Sequence, residues 1–327
     1  MSKNPLIKVE NLNVDFPLGR SLFGKPPMLR AVNDVSLEIM PKTFFGLVGE
    51  SGSGKTTLGR AILRAAPISS GKISFNIENK NFDVGQMTKL ELKEYRKQAQ
   101  LIFQDPYAAL SPRMTVRDII SEPLEVMELV KTREETDQKV REIASKCRLN
   151  LEHLRRFPHA FSGGQRQRIS IARTLVCNPN FVVADESVAA LDVSIQADIL
   201  NLLKSLQDNL GLTFLFISHD LSVVAHVCDT VAVMYLGTIV ESAPTRSLFS
   251  GPKHPYTKAL LSAIPTLNPE DRGKAQKLEG EIPSPVNPPS GCRFHTRCPV
   301  AEEHCRIEVP KWRESSPGHS VACHLVE

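Results

Sequence analysis

The segment Phe44–Thr56 constrains the fold more than any other part of the chain. A short apolar run, Phe44-Phe45-Gly46-Leu47-Val48, leads directly into Gly49-Glu50-Ser51-Gly52-Ser53-Gly54-Lys55-Thr56. The second stretch satisfies G-x-x-x-x-G-K-[ST] in full, with a helical pattern after it. A buried strand, a Gly-rich turn and a helix in that order predict an α/β fold around a phosphate-binding loop. Glycine stands where phosphates would crowd a side chain, and backbone N–H groups with the helix N-terminus face the anion. Lys55 brings a point charge to the β- and γ-phosphates of ATP, and the Thr56 hydroxyl is a ligand for Mg²⁺. Gly49, Ser51, Gly52, Ser53, Gly54 and Thr57 complete the predicted ATP contacts. An ordinary Gly-rich turn is the plain alternative, and the full match in its strand–helix context argues against it.

The whole chain of 327 residues is long enough for one large domain with an appendage. Its 40 basic and 36 acidic residues give a mixed surface without a basic cluster, so nucleic acid is not an expected partner. The start, Met1-Ser2-Lys3-Asn4-Pro5, has no apolar signal region. No run approaches the roughly 18 apolar residues of a membrane span.

Alternation of apolar and polar residues predicts strands over Leu6–Phe16, Val35–Ile39 and Ile73–Ile77. Pro17–Met28, with Gly19, Gly24, Pro26 and Pro27, reads as a loop. Lys89–Gln98 reads as a helix and Gln100–Gln104 as a strand. Thr115–Arg156 is highly charged, with Val116, Ile119, Ile120, Leu124, Val140, Ile143 and Ala144 at helical spacing, and predicts a helical insert without strands. Alternation then resumes: a helix from Gln165, strand Phe181–Ala184, helix Val193–Asp208, strand Thr213–Ser218, a helix after Asp220, and strands Thr230–Tyr235 and Thr238–Glu241. The expectation is a mostly parallel sheet with helices on both faces. Pro265–Gly291 is rich in Pro and Gly and reads as a linker or extended arm.

Three further positions carry chemistry. Phe181-Val182-Val183-Ala184-Asp185-Glu186 is an apolar strand ending in two carboxylates. Asp185 can hold Mg²⁺ at the carboxyl end of the sheet, and Glu186 can polarise water for attack on the γ-phosphate. His219 follows another strand and can contact the γ-phosphate. Gln104 can reach Mg²⁺ or the water from the loop into the helical insert. Without the phosphate loop, two solvated acids and a structural His would be the better readings.

Phe161-Ser162-Gly163-Gly164-Gln165 opens a helix with two glycines and a hydroxyl. Gly163 and Gly164 permit close approach to an anion, and the helix start points the same way. One protomer already has its phosphate cradle, so this second one is expected to serve ATP bound by a partner copy. The plain alternative is an N-capped helix start.

This ordered set of motifs resembles the ATP-binding-cassette family over about residues 6–245. The resemblance implies a P-loop NTPase domain at 1–245 with a helical subdomain at about 105–165. It also implies a head-to-tail nucleotide sandwich in which Ser162, Gly163, Gly164, Gln165 and Asp192 reach the partner's ATP. Phe16 is the candidate for stacking on adenine, against the alternative of a core Phe at a strand end. Two departures stand out: Phe161 replaces the usual Leu, and Ser187-Val188-Ala189 replaces the common Pro-Thr-Ser after Glu186.

Residues 246–327, with Gly251-Pro252-Lys253-His254-Pro255-Tyr256 and a Cys-containing tail, look like the C-terminal extension of oligopeptide, dipeptide and nickel importer ATPases. Cys147, Cys177 and Cys228 read as buried core residues. Cys292, Cys298, Cys305 and Cys323 crowd the tail. Their gaps exceed usual zinc spacing, and a disulfide is disfavoured in a cytosolic chain. A [4Fe–4S] cluster suits four thiolates chemically, as similar subunits carry one, with zinc and free thiols as the alternatives.

The resemblance implies an ATPase subunit that energises uptake of di- or oligopeptides, or a related small solute. Its implied partners are a second, homologous ATPase subunit as heterodimer partner, two transmembrane permease subunits docked near Asp105–Glu122, and a substrate-binding protein. It would sit peripherally on the cytoplasmic face of the inner (plasma) membrane. The alternatives are a soluble cassette ATPase of nucleic-acid repair or translation, which usually has two cassettes or long inserts, and a non-catalytic regulator, against which Lys55, Glu186 and His219 argue.

Overall fold

A computed structural model describes residues 4–19, 26–77, 80–264 and 278–326. Along the chain it runs β1 (Ile7–Pro17), β2 (Met28–Ile39), β3 (Phe44–Val48), α1 (Lys55–Ile62), β4 (Ser70–Ile77), β5 (Lys80–Asp83), α2 (Lys89–Gln98), β6 (Ala99–Ile102) and α3 (Pro106–Ala109). It continues with α4 (Val116–Val126), α5 (Arg133–Lys146), α6 (Gly163–Leu175), β7 (Phe181–Asp185), α7 (Val193–Leu210), β8 (Thr213–Ser218), α8 (Leu221–Val227), β9 (Thr230–Tyr235) and β10 (Thr238–Pro244). The extension adds α9 (Thr245–Ser250), α10 (Pro255–Ser262), α11 (Glu303–Ile307), β11 (Arg313–Ser316) and β12 (His319–Val321). The expected loop at Pro17–Met28 and linker at Pro265–Gly291 fall partly on 20–25 and 265–277, outside the described residues. The described part of the linker, 278–291, has no helix or strand.

The described chain divides into two compact units. The first comprises Met1–Met40, Phe44–Gly85 and Ser218–Glu327. Here the sheet expectation needs correction, because β2-β1-β4-β5 form a separate antiparallel sheet. β1 pairs with β2 from Ile7↔Ile39 to Pro17↔Met28, and with β4 from Ile7↔Phe75. Buried and exposed residues alternate along β1 and β2, as suits an antiparallel sheet with one wetter face. By contrast, all five residues of β3 are buried, and β3 runs parallel to β9 from Phe45↔Thr230 to Val48↔Val233. β10 pairs antiparallel with β9, and the tail hairpin β11–β12 extends the same run through Glu241↔Val321.

The second unit comprises Pro41–Thr43 and Gln86–Ile217. Its strands β6, β7 and β8 are all parallel, with Ala99↔Phe181 and Phe181↔Thr213 in register. Every residue of β7 is buried. The expected helical insert is present as α4, α5 and a 3₁₀ turn at Leu151–Arg155, with no strand among them. Side chains set their starts: the Thr115 hydroxyl accepts from Asp118 N–H at 3.2 Å, and Thr132 accepts from Glu135 N–H at 3.2 Å. α7 stops at Gly211, whose φ of 66° is a left-handed conformation that glycine adopts without strain. Cys147, Cys177 and Cys228 are buried, as expected.

Candidate functional site

The first unit carries the phosphate loop, Phe16 and His219. Two loop glycines are explained by space. A Cβ on Gly49 would stand 2.1 Å from Met234 O, and one on Gly54 would stand 2.3 Å from Ala31 O. Gly54 has φ 103° and, as the N-cap of α1, gives it no side-chain cap. Such a helix start favours an anion. Lys55 is buried, and its Nζ donates to Gly49 O and Glu50 O at 2.8 Å each. The ammonium thereby holds the loop's own carbonyls in place. Ser53 is buried, Thr56 and Thr57 are half-buried, and Ser51 and Gly52 are exposed. Phe16 is half-buried at the end of β1, opposite Leu29. His219 is exposed directly after β8.

The second unit carries Gln104, the Phe161–Gln165 loop, Asp185, Glu186 and Asp192. Asp185 ends β7 and is buried. Glu186 has a left-handed backbone, φ 46°, uncommon for a residue with a side chain. Its N–H donates to Ile217 O at 3.0 Å, and Ala189 N–H donates to Glu186 O at 3.0 Å. The turn therefore closes without the usual Pro, with Val188 and Ser187 buried beneath it. Gln104 Nε2 donates to Glu186 Oε2 at 2.7 Å, which brings two of the predicted residues together.

The Phe161–Gln165 loop is a complete capping box. Ser162 Oγ accepts from Gln165 N–H at 3.4 Å, and Gln165 Oε1 accepts from Ser162 N–H at 3.1 Å. The helix thus begins at Gly163, two residues before the sequence expectation, because Ser162 is its cap. The glycines differ from one another. A Cβ on Gly164 would meet Ile195 Cγ2 at 2.5 Å, so Gly164 is required for α6 to pack on α7. A Cβ on Gly163 would meet only Leu191 Cδ2, at 3.8 Å. Of the pair, Gly163 alone has no packing reason to be glycine. Phe161 is buried with its ring edge-on to His153, so it fills the apolar place expected of it. Asp192 caps α7, accepting from Ile195 N–H at 3.0 Å and from Ser194 Oγ at 2.8 Å. Those bonds, the Ile195 N–H first, hold its carboxyl below the ordinary aspartate range.

Sequence reasoning missed one link in this unit. The Arg166 guanidinium lies 4.2 Å from the Tyr107 ring centroid, joining the segment after Gln104 to the start of α6. Nothing in local spacing announces it, since the partners are distant in the chain.

The tail does not bear out the iron–sulfur expectation. Cys305 and Cys323 are buried, Cys292 and Cys298 half-buried, and the Cys292 thiol feels the charges of the other three. Burial pushes Cys292 up to about 11 and raises Cys298 and Cys323, so the metal-free tail carries thiols. Among the described residues, no group of three or more His, Cys, Asp or Glu is arranged to hold a metal ion. The donor chemistry suits a cluster, but the arrangement does not.

Residues 32–189 match the family described as ABC transporter, and residues 240–305 match the C-terminal region of oligopeptide/dipeptide transporters. A putative peptide import ATP-binding protein of Brucella ovis is 48% identical over 323 residues, 99% of this chain and 98% of the relative. The oligopeptide transport ATP-binding protein AppF of Bacillus subtilis is 45% identical over 328 residues, 99% of this chain and 98% of the relative. Among solved structures, a dimeric ATP-binding cassette in a post-hydrolysis state, bound to ADP and Pi, has TM-score 0.63 and 26% identity. That likeness covers 73% of this chain and 99% of the other.

Proposed function

This chain belongs to the ABC transporter family, and we propose that it is the ATP-hydrolysing subunit of an importer for di- or oligopeptides. The observation that carries the reading is likeness over 99% of the chain, at 48% identity, to a putative peptide import ATP-binding protein. The match of 240–305 to the oligopeptide/dipeptide C-terminal region points the same way. A role in nucleic-acid repair or translation finds no support among these relatives.

In the proposed mechanism the Gly49–Thr57 loop cradles ATP, and Lys55 holds the β- and γ-phosphates. Phe16 stacks on adenine. Thr56, Asp185 and Gln104 would hold Mg²⁺, and the ion would supply charge neutralisation. The glycine-capped start of α1 and the buried Asp185 carboxylate suit those tasks. Glu186 accepts a proton from water as the water oxygen bonds to the γ-phosphorus in line and the bond to ADP breaks. Gln104 holds the Glu186 carboxylate in place, and His219 contacts the γ-phosphate. Ser162, Gly163, Gly164 and Gln165 act on ATP bound by the partner ATPase subunit, with Asp192 beside them.

Among the described residues no helix is long and apolar enough to cross a membrane. We place the chain on the cytoplasmic face of the inner membrane, held there by two permease subunits and fed by a substrate-binding protein. The Asp105–Glu122 segment is the proposed docking region; Phe103, Tyr107 and Val126 are exposed around it. Residues 1–245 form the proposed ATPase domain and 246–327 the extension. A [4Fe–4S] cluster on the four tail cysteines rests on ligand chemistry alone, and no step above depends on it.

The test is uptake of labelled peptides by cells or vesicles containing the assembled importer. Uptake should require ATP and stop with Lys55→Ala. Peptide uptake that persists without this chain would overturn the reading.

A further inference from the structure

Glu50, the second residue of the phosphate loop, is held from two sides by the C-terminal extension. Its N–H donates to the Tyr256 hydroxyl at 2.9 Å. Its carboxylate accepts two bonds from Arg297, Nη1 to Oε2 at 2.7 Å and Nη2 to Oε1 at 3.0 Å. Such fork-on-fork pairing is the strongest form of the Arg–carboxylate contact. The Arg297 side chain is only 7% exposed and that of Glu50 25%. The bond to Glu50 raises the Arg297 pKa further above its ordinary value.

The surroundings keep both partners in register. The Tyr235 and Tyr256 rings lie 4.7 Å apart, and Phe294 stands 5.3 Å from each. Arg293, four residues before Arg297, donates to Leu236 O. The neighbouring Gly237 N–H donates to Ser53 O at 2.9 Å, in the same phosphate loop. The extension therefore reaches the loop at Glu50 and, through the β9–β10 turn, at Ser53.

We propose that Tyr256 and Arg297 are positioning residues for the phosphate loop, so that the C-terminal extension sets this chain's affinity for ATP. The inference rests on the reading that the loop binds ATP. A carboxylate within a phosphate cradle repels a polyanion at short range. Arg297 cancels that charge and pins the side chain. Tyr256 fixes the loop's entry by accepting from the partly buried Glu50 N–H.

The test is the ATP dissociation constant of the full-length chain, by calorimetry, for wild type and four variants, with thermal melts to check folding. Arg297→Ala should weaken binding about 10-fold, within the usual range for coupling between sites. Arg297→Lys, which keeps the charge, should fall between that variant and wild type. Adding Glu50→Gln to Arg297→Ala should recover most of the loss, which a merely structural role for Arg297 would not do. Tyr256→Phe should weaken binding about 2- to 10-fold, the value of one hydrogen bond. Wild-type affinity in Arg297→Ala, or no recovery on adding Glu50→Gln, overturns the inference. If Arg297→Ala does not fold, affinity weaker than wild type in Arg297→Lys or in Tyr256→Phe supports it, and wild-type affinity in both overturns it. Wild-type protein that binds no ATP overturns the ATPase reading and this inference with it.

Discussion

Gln104 donates its side-chain amide to the Glu186 carboxylate at 2.7 Å, tying the loop that enters the helical insert to the proposed base. A hydrogen bond to a charged group is worth about 1.5–3 kcal/mol, roughly a 10- to 100-fold effect. Gln104→Ala should lower kcat for ATP hydrolysis by about that factor while leaving the ATP dissociation constant within about 2-fold. Rapid-quench turnover with a parallel binding titration checks both. An unchanged kcat would remove Gln104 from the positioning role.

The two loop glycines should separate by assay. Gly164→Ala drives a Cβ to 2.5 Å from Ile195 Cγ2, and overpacking of this kind costs about 1–3 kcal/mol, read as a lower melting temperature. Gly163→Ala has room and should leave the melting temperature unchanged or slightly higher, since alanine favours a helix. It should instead slow hydrolysis of the ATP held by the partner subunit. If Gly163→Ala is also neutral for hydrolysis, the loop does not approach a phosphate.

His254 predicts an acid-side loss of stability. Burial, reinforced by Lys258, lowers its pKa from 6.5 to about 3. Its Nδ1 accepts from Tyr256 N–H at 3.1 Å and caps α10, a bond only the unprotonated nitrogen can make. The unfolded chain therefore binds the extra proton. The stabilisation is complete above pH 6.5 and is lost progressively as pH falls from there toward 3. Between pH 6.5 and 5 the loss is about 2 kcal/mol. His254→Asn keeps a capping acceptor without the titration, so its melting temperature should fall less than that of wild type over this range. Parallel pH dependences would contradict the assignment.

Much of the site was legible because phosphate chemistry fixes residue types at fixed spacing. Gly49–Thr56 could be read from local order alone, and so could the apolar strand ending at Asp185-Glu186. Strand existence was legible in the alternation of Leu6–Phe16, but not strand direction, because alternation does not name a partner. Hence the separate antiparallel sheet β2-β1-β4-β5 was missed. An N-capped start at Phe161–Gln165 was only the plain alternative, and Gly164 read as an anion contact because its neighbour Ile195 lies on another helix. The Glu50–Arg297 pair joins the chain's first quarter to its tail, a separation that no motif spacing records. The four tail cysteines revealed a possible ligand set but not its arrangement.

The most direct measurement is the identity of the nucleotide trapped on this polypeptide. Photocrosslinking with radiolabelled azido-ATP, followed by chromatography of the bound label, would compare wild type with Glu186→Gln. The chain should carry ADP in wild type under vanadate. Glu186→Gln should bind ATP equally well and convert it at least about 10²-fold more slowly, the scale of a lost general base. Conversion at the wild-type rate in Glu186→Gln would contradict the assignment of the catalytic base on which the mechanism rests.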